Sequence, residues 1–277
     1  MLNIKRIALS AACSLAMLGA STNAYSIPLY QDTLLEDDDF EVQGVDLNGN
    51  GLLDVGDTLT GIFDITQVYN NSNPAQHYDP LELTGVFTTL VTGKFFSGLP
   101  GRYNYTFGAV GADGVIFQFY TDPSNNFSGA TSECATVAAC TARATDGDLW
   151  AEFGFTGDLD EQWNAFGAPE DTSLFDQLTS DQAAGSFQFA LGIITDNTDY
   201  GLQEFDLGGC GILFTCAGDG RVGLSGSGSV LGVSNLDTPF DISSDTDFRV
   251  SSIPEPSMIG LLGLSLLGFV PALKRRK

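Results

Sequence analysis

Basic residues and histidine are scarce in this chain. Eleven lysines and arginines stand against 35 aspartates and glutamates, and the single histidine is His77, in 277 residues. A surface for nucleic acid needs clustered cations, so nucleic-acid binding is excluded as a function. The short signatures of common catalytic sites are also missing: no Gly-x-Ser-x-Gly elbow, no His-Glu-x-x-His and no phosphate-binding Gly-x-x-x-x-Gly-Lys. A Ser-His-Asp triad would have to recruit His77, which stands in the turn-rich stretch 70–80 and reads as an exposed loop residue. With no catalytic motif found, the expectation is a protein that is not an enzyme.

What is present at the N-terminus is an export signal. Lys5 and Arg6 precede an uncharged run from Ile7 to Ala20, followed by the small residues of Thr22-Asn23-Ala24 and Ala24-Tyr25-Ser26. Cleavage by signal peptidase is expected after Ala24 or Ser26, which makes residues 1–26 a signal peptide. A retained membrane helix would need about 20 apolar residues, more than this run supplies.

Residues 27–253 form the body, in which five basic residues face 34 acidic ones, a net charge of −29 with His77 neutral. Such a field draws in divalent cations and basic surfaces. Disorder is not the expectation, because 43% hydrophobic and 11% aromatic content over the whole chain supplies enough apolar surface for a core. The apolar period is two. Tyr103, Tyr105, Phe107 and Ala109 share one strand face; Val115, Phe117 and Phe119 another; Leu149, Ala151, Phe153 and Phe155 a third; Phe187, Phe189, Leu191 and Ile193 a fourth. Fainter strand patterns run over 58–69, 83–91, 211–215, 222–233 and 248–253, with turns such as Thr121-Asp122-Pro123-Ser124-Asn125-Asn126 between strands. These patterns predict an all-β fold, a single antiparallel β-sandwich or jelly-roll-like domain. One short helix is expected around Ser173–Ala184, capped by Asp171 or Thr172.

Four cysteines lie in the body, Cys134 with Cys140 and Cys210 with Cys216, each pair enclosing five residues. In an exported chain an even count implies disulfides, and short loops favour pairing within each pair. Zinc lacks the usual short cysteine spacing and a nearby histidine.

After residue 253 come Pro254-Glu255-Pro256-Ser257, seventeen uncharged residues from Ser257 to Leu273, and Lys274-Arg275-Arg276-Lys277. The prolines hold an extended backbone that an enzyme can grip, the apolar run is just long enough for one transmembrane helix, and the terminal cations keep its end cytoplasmic. The order of Pro254-Glu255-Pro256, the helix MIGLLGLSLLGFVPAL and the basic KRRK resembles the sorting tail of PEP-CTERM proteins of Gram-negative bacteria. That resemblance implies exosortase as a processing partner, transient inner-membrane anchoring, and release to the cell envelope, outer surface or an exopolysaccharide matrix of biofilm type. It covers only about the last 24 residues. Pro271 departs from the pattern near the end of the helix.

Two places in the body carry candidate chemistry. From Asp46 to Asp57 the chain reads D-L-N-G-N-G-L-L-D-V-G-D. In an EF-hand-type loop the positions one, three, five, seven, nine and twelve supply oxygens and glycine stands at six. Those slots fall on Asp46, Asn48, Asn50, the Leu52 carbonyl, Asp54 and Asp57, with Gly51 at the turn and Leu53 pointing inward. The pattern resembles EF-hand-like and dockerin-type loops and makes Ca²⁺ the candidate cofactor. It ends on Asp57 where glutamate is usual, and a strand rather than a helix is expected to follow. The second place is the segment 146–171, where Trp150 and Trp163 alternate with acids, a mixture suited to stacking on sugar rings and binding their hydroxyls. It keeps a carbohydrate-binding module or glycan-active enzyme as the alternative, since a glycosidase needs only two carboxylates at the right spacing. The same residues also suit a core tryptophan beside a solvated acidic face.

Overall fold

The structure is a computed structural model, and it describes residues 27–127, 134–169, 183–208, 217–231, 240 and 242–253. The expected signal peptide, the expected sorting tail with Pro254, Glu255 and Pro256, the pair Cys210 and Cys216, and the strand pattern at 211–215 lie outside the described residues. The expected helix lies there too, except for its last two residues, Ala183 and Ala184, which belong to a strand.

Fourteen strands and one helix are described. They are β1 (Thr33–Val45), β2 (Thr58–Asn70), β3 (His77–Tyr78), β4 (Leu83–Phe96), β5 (Arg102–Gly108), β6 (Val115–Thr121), α1 (Val137–Ala144), β7 (Asp148–Gly154), β8 (Gln162–Pro169), β9 (Ala183–Asp196), β10 (Leu202–Gln203), β11 (Phe205–Asp206), β12 (Arg221–Val222), β13 (Leu224–Leu231) and β14 (Ile242–Ser252). The expectation holds in its coarse form: the described residues are mostly β, a large antiparallel sheet with one short helix. In hydrogen-bonding terms the long strands join into one sheet, because the ladder runs β2-β1-β14-β13-β9-β7-β6-β4 and β4 pairs β2 again. Two strands also branch the sheet by changing partners along one edge, so that β5 and β8 form a second bridge between β4 and β9. Leu83–Phe87 of β4 pair β6, while Leu90–Phe96 pair β5. In β9, Ser186–Ala190 pair β8 and Gly192–Asp196 pair β7. A ladder that returns on itself leaves few open edges, the feature that otherwise makes strands stick to other chains.

The core is aromatic. Phe117 lies between Phe63 (5.9 Å between ring centroids), Phe87 (5.7 Å), Trp163 (5.2 Å), Phe189 (4.9 Å) and Phe248 (5.5 Å), so one ring joins side chains from five other strands. Two glycines give these rings room. Gly85 stands across from Phe63 on one side and Phe119 on the other, and Gly226 stands likewise between Phe189 and Phe248. A Cβ at Gly85 would meet Phe63 Cζ at 2.2 Å and the Gln118 carbonyl at 2.3 Å, and one at Gly226 would meet Phe189 Cζ at 2.2 Å. The rings therefore close over bare backbone, and Phe63 and Phe119 reach 4.7 Å edge to face across Gly85.

A smaller cluster of Ile62, Phe127, Cys134, Cys140, Ala144 and Phe240 lies under α1, which packs on β2 and β4. The Thr136 hydroxyl caps this helix by accepting from the Ala139 amide, and Thr84 Oγ1 donates to the Ala144 carbonyl at its far end. Cys134 and Cys140 form a disulfide that ties the approach to the helix, as their spacing predicted. Among the described residues no helix is long and apolar enough to cross a membrane.

Candidate metal centres

The twelve residues from Asp46 to Asp57 are the loop of the β1–β2 hairpin, since Val45 pairs Thr58 on either side of it. Their backbone folds around their own side chains. Asp46 accepts from the amides of Asn48 (3.1 Å), Gly49 (2.6 Å) and Gly51 (2.6 Å); Asn48 Oδ1 accepts from the Asn50 amide (3.0 Å), and Asn50 Oδ1 from that of Leu52 (2.8 Å). Asp57, buried, closes the loop by accepting from Leu47 (3.0 Å) and Asp54 (2.7 Å). Gly51 has φ +79°, the left-handed backbone that the sharp turn needs, and Leu53 is buried in the main core as expected. The amides, Gly51 foremost, hold the Asp46 carboxyl below the usual carboxylate range. Asp54 departs from a simple ligand arrangement. Its Oδ1 is paired with Lys94 Nζ at 2.6 Å and its Oδ2 accepts from Asn50 Nδ2 at 2.7 Å, and the lysine foremost lowers its pKa.

A second acidic group was not legible in the sequence. Glu82, Asp122 and Asp146 each bring one carboxylate oxygen within 4.8 Å of the others, the one such group of three among the described residues. Strand register assembles it. Leu83 pairs Thr121 and Thr121 pairs Asp148, so the residues just outside β4, β6 and β7 meet at one end of three adjacent strands. Glu82 is buried, Asp122 half-buried and Asp146 exposed. Glu82 Oε2 accepts from the amides of Asn126 (2.6 Å) and Phe127 (3.1 Å). Burial, reinforced by the charges of Asp122 and Asp146, pushes the Glu82 carboxyl up against the pull of those amides. Asp122 is held below the usual range, chiefly by the Ser124 hydroxyl at 2.6 Å. The arrangement could hold a metal ion. Its members are 40 and 24 residues apart along the chain, and only the pairing of β4, β6 and β7 shows that they are neighbours.

The two tryptophans are a correction to the glycan reading. Trp150 is 7% exposed and Trp163 is 4% exposed, and Trp163 stacks on Phe117 and packs against Phe87, Phe107 and Phe189. Indoles used as core cannot stack on a sugar, because their faces are already covered. His77 is exposed, in the two-residue β3, beside Tyr69.

Comparison of the chain with protein-family models, with curated proteins and with solved structures gave no match in any of the three. The functional reading therefore rests on the residues themselves.

Proposed function

We propose that this chain is an exported, non-enzymatic component of the cell surface or extracellular matrix of a Gram-negative bacterium. Signal peptidase removes residues 1–26, and an exosortase takes hold of Pro254-Glu255-Pro256 while the apolar run holds the chain transiently in the inner membrane. The observation that carries the reading is the order of segments at the C-terminus: a proline-bracketed acid, an uncharged run from Ser257 to Leu273, and four terminal cations. The body suits this setting. We read its self-closing sheet as a sandwich-like, two-walled barrel, which resists edge-to-edge association at a crowded surface. A disulfide fits an oxidising compartment, and the Asp46–Asp57 loop fits a calcium-containing one.

The second reading, binding of carbohydrate, moves from the tryptophans to the β4–β5 hairpin, where Phe95 and Phe96 are 59% and 63% exposed. It rests on exposed rings alone and stands behind the first.

Deletion of the gene tests the proposal. Loss of cell aggregation, biofilm or retained polysaccharide is expected, with the purified protein inert toward the polymer. Unchanged retention in the deletion strain, together with hydrolysis of the polymer by the purified protein, would overturn it.

A further inference from the structure

We propose that Glu82, Asp122 and Asp146 bind a calcium ion, at a site distinct from the Asp46–Asp57 loop. Glu82 supplies the observation that a mere cluster of acids would lack. Its side chain is 2% exposed, and its Oε1 has no hydrogen-bond partner although Oε2 has two. A buried carboxylate oxygen without a donor is costly unless a proton or a metal cation meets it, and this carboxylate shares its position with those of Asp122 and Asp146, where one cation can serve all three.

The chemistry of the surroundings selects the ion. Among the described residues, the side chains that meet here are hard oxygen donors or an amide: the three carboxylates, Ser124 Oγ and Asn126. Asn126 Nδ2 lies between Ser124 Oγ (2.9 Å), Asp146 Oδ2 (3.1 Å) and Asp122 Oδ2 (3.3 Å), and so marks where positive charge is favoured. The amide can turn its oxygen to the same point without moving its backbone. Three carboxylates, one amide oxygen and one hydroxyl approach the six to eight oxygens that calcium takes. Nitrogen and sulfur ligands, which zinc prefers, are missing from this set. Oxygens within 4.8 Å of one another can all reach one ion at the roughly 2.3–2.6 Å of calcium's flexible coordination, whereas magnesium demands near-ideal octahedral geometry and gives up its water reluctantly.

The site has a structural consequence. It joins the ends of β4, β6 and β7 to the excursion that leaves β6 at Asp122 and returns at Asp146, and that excursion carries Phe127, the disulfide and α1. Calcium would fasten both feet of the excursion to the sheet while the disulfide braces its middle.

Calorimetric calcium titration of the purified protein tests it, in an Asp46→Ala, Asp57→Ala background that removes the loop site. One equivalent is expected to bind with a Kd on the order of 10⁻⁴ M. Asp146→Asn, at an exposed position that leaves the core untouched, is expected to weaken binding about tenfold or more, and Glu82→Gln to do the same. Magnesium should compete poorly. Absence of saturable binding up to 10 mM calcium (about 100 times the expected Kd), or an Asp146→Asn variant that binds as its parent does, would overturn the proposal.

Discussion

Phe117→Ala is expected to lower the unfolding free energy by about 3–5 kcal/mol, the range for removing a large aromatic side chain from a close-packed core. The ring touches five aromatic neighbours on other strands, so no single element can collapse into the space it leaves. Phe95→Ala is the matching control, since Phe95 is 59% exposed and its loss should change stability by less than about 0.5 kcal/mol. Urea unfolding of both variants beside the parent measures this. Equal midpoints for Phe117→Ala and Phe95→Ala would show that the aromatic cluster does not organise the fold.

Millimolar calcium is expected to raise the melting temperature, and the Asp46→Ala, Asp57→Ala double variant to lose part of that gain. With three carboxylates in the loop, a Kd on the order of 10⁻⁴ to 10⁻³ M is expected, as in extracellular modules. At 10 mM calcium that affinity stabilises the folded chain by about 1.4–2.7 kcal/mol, or roughly 3–10 °C for a domain of this size. The hydrogen bonds of the loop decide why both ends are replaced: Asp46 gathers the amides of the first half and Asp57 those that close it. Lys94, already paired with Asp54, would compete with an ion for that carboxylate and keep the expected affinity modest. Scanning calorimetry in calcium and in chelator measures the effect. A double variant that gains as much from calcium as the parent would remove the loop from the account.

The strands that could be read from sequence are those where period two is undisturbed. In β5, Tyr105 and Phe107 are buried and their neighbours are not; in β6, Phe117 and Phe119 are buried as expected, but Ile116 on the other face is buried too and Val115 is only half-buried. β1 was hidden because Glu36, Asp37, Asp38 and Asp39 stand in its middle, a run with poor strand propensity. It forms because it pairs along both edges, with β2 and β14, with register shifts between Asp37 and Phe40, and because the buried Asp37 accepts from the Asp64 amide. β8 was hidden for a different reason. Trp163 stands among acids and looked like a binding surface, but pairing with β5 and β9 turns it into the core. The short α1, half alanine, has only eight residues over which an apolar period could show, and its cap and disulfide do part of the work of fixing it. The hairpin loop was legible because all its candidate ligands fall within twelve consecutive residues. The Glu82 group was not, because strand register, which sequence spacing does not encode, brings its members together.

The central claim is that this chain is exported and sorted through its tail, and intact-mass measurement of the protein recovered from the cell surface and medium tests it most directly. The account predicts a species that begins at Tyr25 or Ile27 and ends near Pro254 to Ser257, carrying the Cys134–Cys140 disulfide. A species that still ends at Lys277 would show the tail to be a permanent anchor, and one that still begins at Met1 and stays inside the cell would contradict the account altogether.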